Sequence, residues 1–219
     1  HVERLMRDPK IQVLKGRETQ RISTQFNQRQ PAFQDVRVRR ALLGYGIDRP
    51  AIAKTALLGL AQPLWSFVPS GSKGHIDFGE LYPYDPDQAR ALLKEAGYDE
   101  RNPLRYTMMT HPGEASLPTI ATILKTQYAK LGVEVTVEVI DQPIFLRRMN
   151  QDRDWHQLVN LTSAAFDPYS IARAIDRRAG SNLINHNDQQ VDTLIDGLKE
   201  AATEETFLQA GYDFQRYIA

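Results

Sequence analysis

The 219 residues contain no cysteine, which excludes disulfide bonds, thiolate-bound zinc and a thiol nucleophile together. Histidine is sparse as well. His1, His75, His111, His156 and His186 are scattered, with no H-x-x-x-H or H-E-x-x-H spacing, so no metal site is expected. A G-x-S-x-G elbow is absent, and no glycine run has the spacing of a Walker loop or a dinucleotide fingerprint. No cofactor and no catalysis are therefore expected, a hydrolase being the weakest reading. Charge of one sign is also lacking, since Lys plus Arg and Asp plus Glu are 27 each. Such a balance suits no polyanion binder, so no nucleic-acid partner is expected. Arg37, Arg39, Arg40, Arg147, Arg148 and Arg153 read instead as anchors to nearby backbone and acids. Long hydrophobic runs are missing too, which leaves neither a membrane-spanning segment nor a signal-peptide core. Since His1 is not an initiator Met, the sequence is expected to be a processed or truncated piece whose export signal is already gone.

What is present is a 42% hydrophobic chain long enough for a substantial core. Lys10 to Leu14 and Thr19 to Phe26 read as strands, the second with Ile22, Thr24 and Phe26 on one face. Asp35 is placed to cap a helix through Val36 and Leu42. Asp48, with Pro50 in the first turn, starts another whose stripe is Ile52, Ala53, Ala56 and Leu57. Asp85 and Pro86 open a helix carrying Ala89, Leu92, Leu93 and Ala96, and Gly97 ends it. Arg105 to Met109 is a predicted strand. Ile120, Ile123, Leu124, Gln127, Tyr128 and Leu131 recur at helical spacing up to Gly132, and Val133, Val135, Val137 and Val139 then alternate with polar residues. This strand, helix, strand order predicts an α/β sheet with a crossover. Further on, Pro143 to Asn150 is predicted helical, Trp155 to Leu161 a strand, Gly180-Ser181-Asn182 a turn. Helices are expected to start at Asp167-Pro168, at Asp188 and at Glu204.

Between residues 59 and 84 the chain is punctuated by Gly and Pro and holds Trp65, Phe67, Phe78 and Tyr82. A loop of this length in a compact domain is functional or packs through its own aromatics. Trp65 and Phe67 could line a cleft or fill a core. Trp155, among apolar neighbours at a strand start, reads as core.

Four landmarks occur in order: Phe33 to Arg49, Tyr84 to Tyr98, the Leu-Gly-Val-Glu-Val run at Leu131 to Val135, and Asp167-Pro168 followed by Ser181-Asn182 and an Asp192-x-Leu194 helix. Together they resemble the family of extracytoplasmic solute-binding proteins that serve dipeptide, oligopeptide, nickel and opine importers. That resemblance implies one α/β lobe, residues 1–219, of a two-lobed periplasmic-binding-protein fold, with a mixed β-sheet flanked by helices. It implies a small-molecule solute such as a peptide, captured in an interlobe cleft in the periplasm. Implied partners are ABC permease subunits in the inner membrane and a missing N-terminal lobe of the same protein, and opine, metal-chelate or oligosaccharide receptors remain alternatives. By the same resemblance the solute meets the strand end and loop Leu161 to Asp167, so Thr162, Ser163, Ala164, Phe166 and Asp167, with Asn182, Tyr169 and Trp65, are the candidate contacts. Peptide-binding relatives carry a Trp and then an Asp in that loop. Here those places read Leu161 and Ala164, which disfavours holding a free amino terminus there, because an unpaired buried ammonium is costly. Asp167 could replace the missing acid or cap the helix that Pro168 begins, and Thr162, Ser163 and Asn182 could bind solute or satisfy their own backbone.

Overall fold

The computed structural model describes residues 5, 8–12, 20–163, 167–180 and 182–219. Four strands, β1 (Gln20–Phe26), β2 (Arg105–Thr110), β3 (Glu134–Val139) and β4 (Gln157–Ser163), form one sheet in the order β1-β4-β2-β3. β2 runs parallel to β3 and β4, whereas β1 runs antiparallel to β4. The sheet is therefore mixed, and the parallel β2–β3 pair has the crossover that the valine alternation predicts. The strand expected at Lys10 to Leu14 does not form over its described part. Lys10 lies in a turn closed on the Asp8 carboxylate, and the exposed Ile11 and Gln12 have no strand partner among the described residues. Val13 and Leu14 lie outside the described residues.

The helices start where short polar side chains can take up free N–H groups. Asp35 caps α2 (Val36–Arg39), which follows a single turn α1 (Pro31–Gln34) and widens into a π-helical stretch, Arg40–Tyr45. Asp48 accepts from the Ala51 N–H at 2.9 Å to open α3 (Arg49–Ala56), and Asp85 accepts from Asp87 and Gln88 to open α4 (Pro86–Glu95). Gly97, with φ of +90°, takes the left-handed conformation that ends α4. The crossover helix is α5 (Ser116–Ala129), and α6 (Gln142–Arg147) continues into a second π-helical segment, Arg148–Asp152. Three helices follow β4: α7 (Pro168–Ile175), α8 (Gln189–Glu200) and α9 (Glu204–Ile218).

Alternation along the strands sorts the apolar residues onto two sheet faces. Phe26, Tyr106, Met108, Val135 and Val159 join Leu42, Leu93, Leu117 and Leu124 from the helices in the main core. Met109 and Leu158 face the other way, against Phe145, Met149 and Trp155. Trp155 is thus core, as its neighbours predict. Residues 59–84 form no helix or strand and pack through their aromatics: Phe78 donates its N–H to the Trp65 carbonyl, Phe67 meets Phe78 edge-on, and Tyr82 meets Tyr45.

A third cluster joins α7, α8 and α9 through Ile171, Val191, Ile195, Leu198 and Phe214, with Phe67 and Tyr169 packed against it. The start of α7 is clamped. A Cβ at Gly211 would lie 2.6 Å from the Pro168 ring and one at Gly74 2.8 Å from it, while Gln215 donates to the Gly74 carbonyl. Both glycines let backbone approach the rigid pyrrolidine, so α9 and the long loop fix where β4 hands over to α7. At the other end of α7, Asp176 accepts from Arg178 and from Lys199 at 2.9 Å, with its side chain only 5% exposed. Hydrogen bonding from Arg178, with Lys199 adding to it, holds the Asp176 carboxyl well below the usual carboxylate range. A carboxyl whose pKa falls on folding adds stability above its unfolded value near 4 and loses it as the pH drops further. Asp176→Asn is expected to cost about 1.5–3 kcal/mol at pH 7, in the range of hydrogen bonds to charged groups. Urea midpoints at pH 7 and pH 3 should show the gap between the two proteins narrowing in acid, and a gap of constant size would contradict the assignment.

Candidate functional site

The antiparallel register sets Arg21 opposite Thr162, Gln20 opposite Ser163 and Ser23 opposite Asn160. Directly opposed residues share a sheet face, so Arg21, Ser23, Asn160 and Thr162 make a polar strip at the carboxyl end of β4, behind which Ile22 and Leu161 face the main core. In open α/β sheets, crevices at the carboxyl ends of parallel strands are where ligands bind. The half-buried Thr162 hydroxyl is 3.4 Å from both Arg21 Nε and the Arg21 carbonyl. Ser163 is exposed, and its hydroxyl has no partner among the described residues. Ala164 and Phe166 lie outside the described residues.

Deeper at the same strand ends the polarity is consumed internally. Gly113 donates its N–H to His111 Nδ1 at 3.1 Å, which leaves the proton on Nε2, 3.1 Å from Asn160 Oδ1. Thr110 donates to the Val159 carbonyl, and His111 meets the Phe145 ring edge-on. These contacts rigidify the β2–β4 corner and leave Arg21 and Thr162 as the polar groups on that face of the strand end.

Asp167 serves the helix: its two oxygens accept from the Ser170 N–H at 2.9 Å and from the Ser170 hydroxyl at 2.7 Å. The buried Asn182 amide is likewise occupied, donating to the His186 carbonyl and accepting from the His186 N–H. Trp65 is half-buried, with the Arg49 guanidinium 5.9 Å from its ring. Its neighbour Phe67 sits closer to the strip, because the Phe67 carbonyl accepts from Arg21 Nη1 at 2.8 Å. Thr162 and the Phe67 segment are thus brought together by Arg21, Ser163 faces the other side of the sheet with Gln20, and Trp65 and Asn182 are held by separate contacts. Among the described residues no group of three His, Asp or Glu side chains could hold a metal ion.

Five of the six clustered arginines are anchors, whereas the Arg40 side chain has no hydrogen bond or ion pair among the described residues. Arg37 pairs with Asp35, Arg147 with Asp152 and Arg148 with Glu138, while Arg39 and Arg153 donate to backbone carbonyls. Sequence reasoning missed Arg21. With Ile22, Thr24 and Phe26 facing the core, alternation turns Arg21 the other way, but only the pairing with β4 reveals what it meets.

Comparison with known proteins gives a consistent picture. Residues 1–182 match the family described as bacterial extracellular solute-binding proteins, family 5 middle. The chain is 28% identical over 188 residues to di/tripeptide-binding protein 2 of Pseudomonas aeruginosa, across 85% of this chain and 33% of that protein. It is 34% identical over 116 residues to the glutathione-binding protein GsiB of Escherichia coli, across 53% and 22% of the two chains. The ABC transporter substrate-binding protein CtaP of Listeria monocytogenes superposes with a TM-score of 0.82 at 27% identity, over 92% of this chain and 42% of that one. The murein tripeptide-binding protein MppA of Escherichia coli shares the fold at a TM-score of 0.86 and 20% identity, over 99% and 43%. The chain spans about a third of the length of the Pseudomonas relative.

Proposed function

The chain belongs to the bacterial extracellular solute-binding proteins of family 5, and we propose that it is one lobe, residues 1–219, of the substrate-binding component of an ABC importer. In this reading a small solute, a peptide or peptide-like compound, rests at the carboxyl end of β4 against Thr162 and Ser163. Ala164, Phe166, Asp167, Asn182 and Trp65 remain further candidates from the sequence alone. A second lobe closes over the solute, and the closed form docks on permease subunits at the inner membrane from the periplasmic side. Closure is a hinge motion driven by contacts that only the closed state makes. The lobe performs no chemical step on its cargo.

The observation that supports this most strongly is that the family match runs through the whole sheet and past the β4–α7 junction, to residue 182. The peptide class is supported by the names of the two curated relatives, a di/tripeptide-binding and a glutathione-binding protein. The test is a thermal-shift screen of the full-length protein against dipeptides, tripeptides, glutathione, opines, oligosaccharides and nickel chelates. A ligand at a hundred times its Kd stabilises the native state by about 2.7 kcal/mol, so a true solute gives a clear rise in Tm. A rise with peptides or glutathione is expected. A rise with sugars or chelates alone would replace the solute class, and no rise with any class would overturn the receptor reading.

A further inference from the structure

Resting on the reading of this chain as a solute-binding lobe, we propose that Arg21 binds a carboxylate of the solute through its outer nitrogen Nη2, at the corner formed by β1, the Thr162–Ser163 strand end and the Phe67 carbonyl. Two contacts hold the guanidinium in place: Nε lies 3.4 Å from Thr162 Oγ1, and Nη1 donates to the Phe67 carbonyl at 2.8 Å. Nη2 has no partner among the described residues. The guanidinium is therefore oriented through Nε and Nη1, with Nη2 left over among the described residues.

Its electrostatics point the same way. Arg37, Arg105, Arg148, Arg177 and Arg178 each pair with an acid. No described carboxylate pairs with Arg21, and burial alone pushes its guanidinium down from the ordinary arginine value. A half-buried cation with no counter-charge among the described residues is unfavourable in the empty protein, and an arriving anion relieves that cost. A guanidinium fixed in its plane suits the flat fork of a carboxylate better than a freely rotating ammonium would.

Calorimetry on the full-length protein tests this with di- and tripeptides carrying a free carboxyl terminus, with the same peptides as carboxyl-terminal amides, and with an uncharged oligosaccharide. The free acids are expected to bind, and the amides to bind about 10- to 100-fold more weakly, the range for losing a charge-assisted hydrogen bond. Arg21→Gln should reduce free-acid binding by a similar factor and leave amide binding nearly unchanged. Arg21→Lys, which keeps the charge and the stem, should retain part of the preference for acid over amide, and it serves if the glutamine variant fails to fold. Equal binding of acids and amides overturns the role of Arg21 and leaves the receptor reading standing. So does binding of the oligosaccharide alone, or free-acid binding that neither Arg21 variant weakens. Absence of binding by every compound overturns both.

Discussion

Phe33→Ala is expected to lower the stability of this lobe by about 3–5 kcal/mol, the range for deleting a buried phenyl ring. The ring is 1% exposed and stacks on Phe26 with centroids 4.2 Å apart, while the edge of Tyr106 meets it at 5.1 Å. One side chain thus ties α1 to β1 and β2, and the space left by its removal is bounded by two other rings that cannot collapse into it. For a chain of this size the cost corresponds to a fall in Tm of about 10 °C. A urea titration should show a lower midpoint with an unchanged slope. A loss under about 1 kcal/mol would mean that the three rings do not form one packed unit.

Asn27→Ala carries the next largest effect, about 2–4 kcal/mol, because several buried polar groups lose their partner at once. Asn27 is fully buried, and its amide nitrogen donates to the carbonyls of Arg153 and Trp155. Its side-chain oxygen accepts from the Arg29 N–H and from Asn185 Nδ2. The residue joins the end of β1, the approach to β4 and the Asn182–Asn185 turn, where Arg153 and Asn185 both hold positive φ. Hydrogen exchange should accelerate at His186 and Asn27, whose amides bond within this knot. Unchanged exchange with unchanged stability would contradict the role given to Asn27.

Helix starts were legible because capping is local: Asp35, Asp48, Asp85, Asp167 and Asp188 each accept a hydrogen bond from an N–H two or three residues ahead. The crossover between β2 and β3 was legible from the valine alternation for the same reason. Features set by distant contacts were not. The helical turn at Pro31–Gln34 carries Phe33 into a ring cluster built by residues distant in sequence. Ile11 and Gln12 have strand-like sequence neighbours and no strand to pair with among the described residues. The π-helical widening at Arg40–Tyr45 leaves no local mark, since it changes which carbonyl each N–H reaches without changing the apolar pattern. At the candidate site, resemblance nominated Thr162 and Ser163, yet Arg21 is 141 residues from Thr162 and meets it only through the β1–β4 ladder. Asn182 was a reasonable polar candidate by type, and the structure ties its amide to His186.

In the proposed function, solute binding takes two lobes, of which this chain is one. The most direct measurement is calorimetry of the same solute, whichever gives the largest thermal shift, on the full-length protein and on the 219-residue chain, with a cooperative melt of the latter as proof that it folds. Tight binding by the full-length protein is predicted, with affinity at least about 100-fold weaker, or none, on the chain alone, since half the contacts and all of the water exclusion are missing. Submicromolar binding by the isolated chain would contradict it.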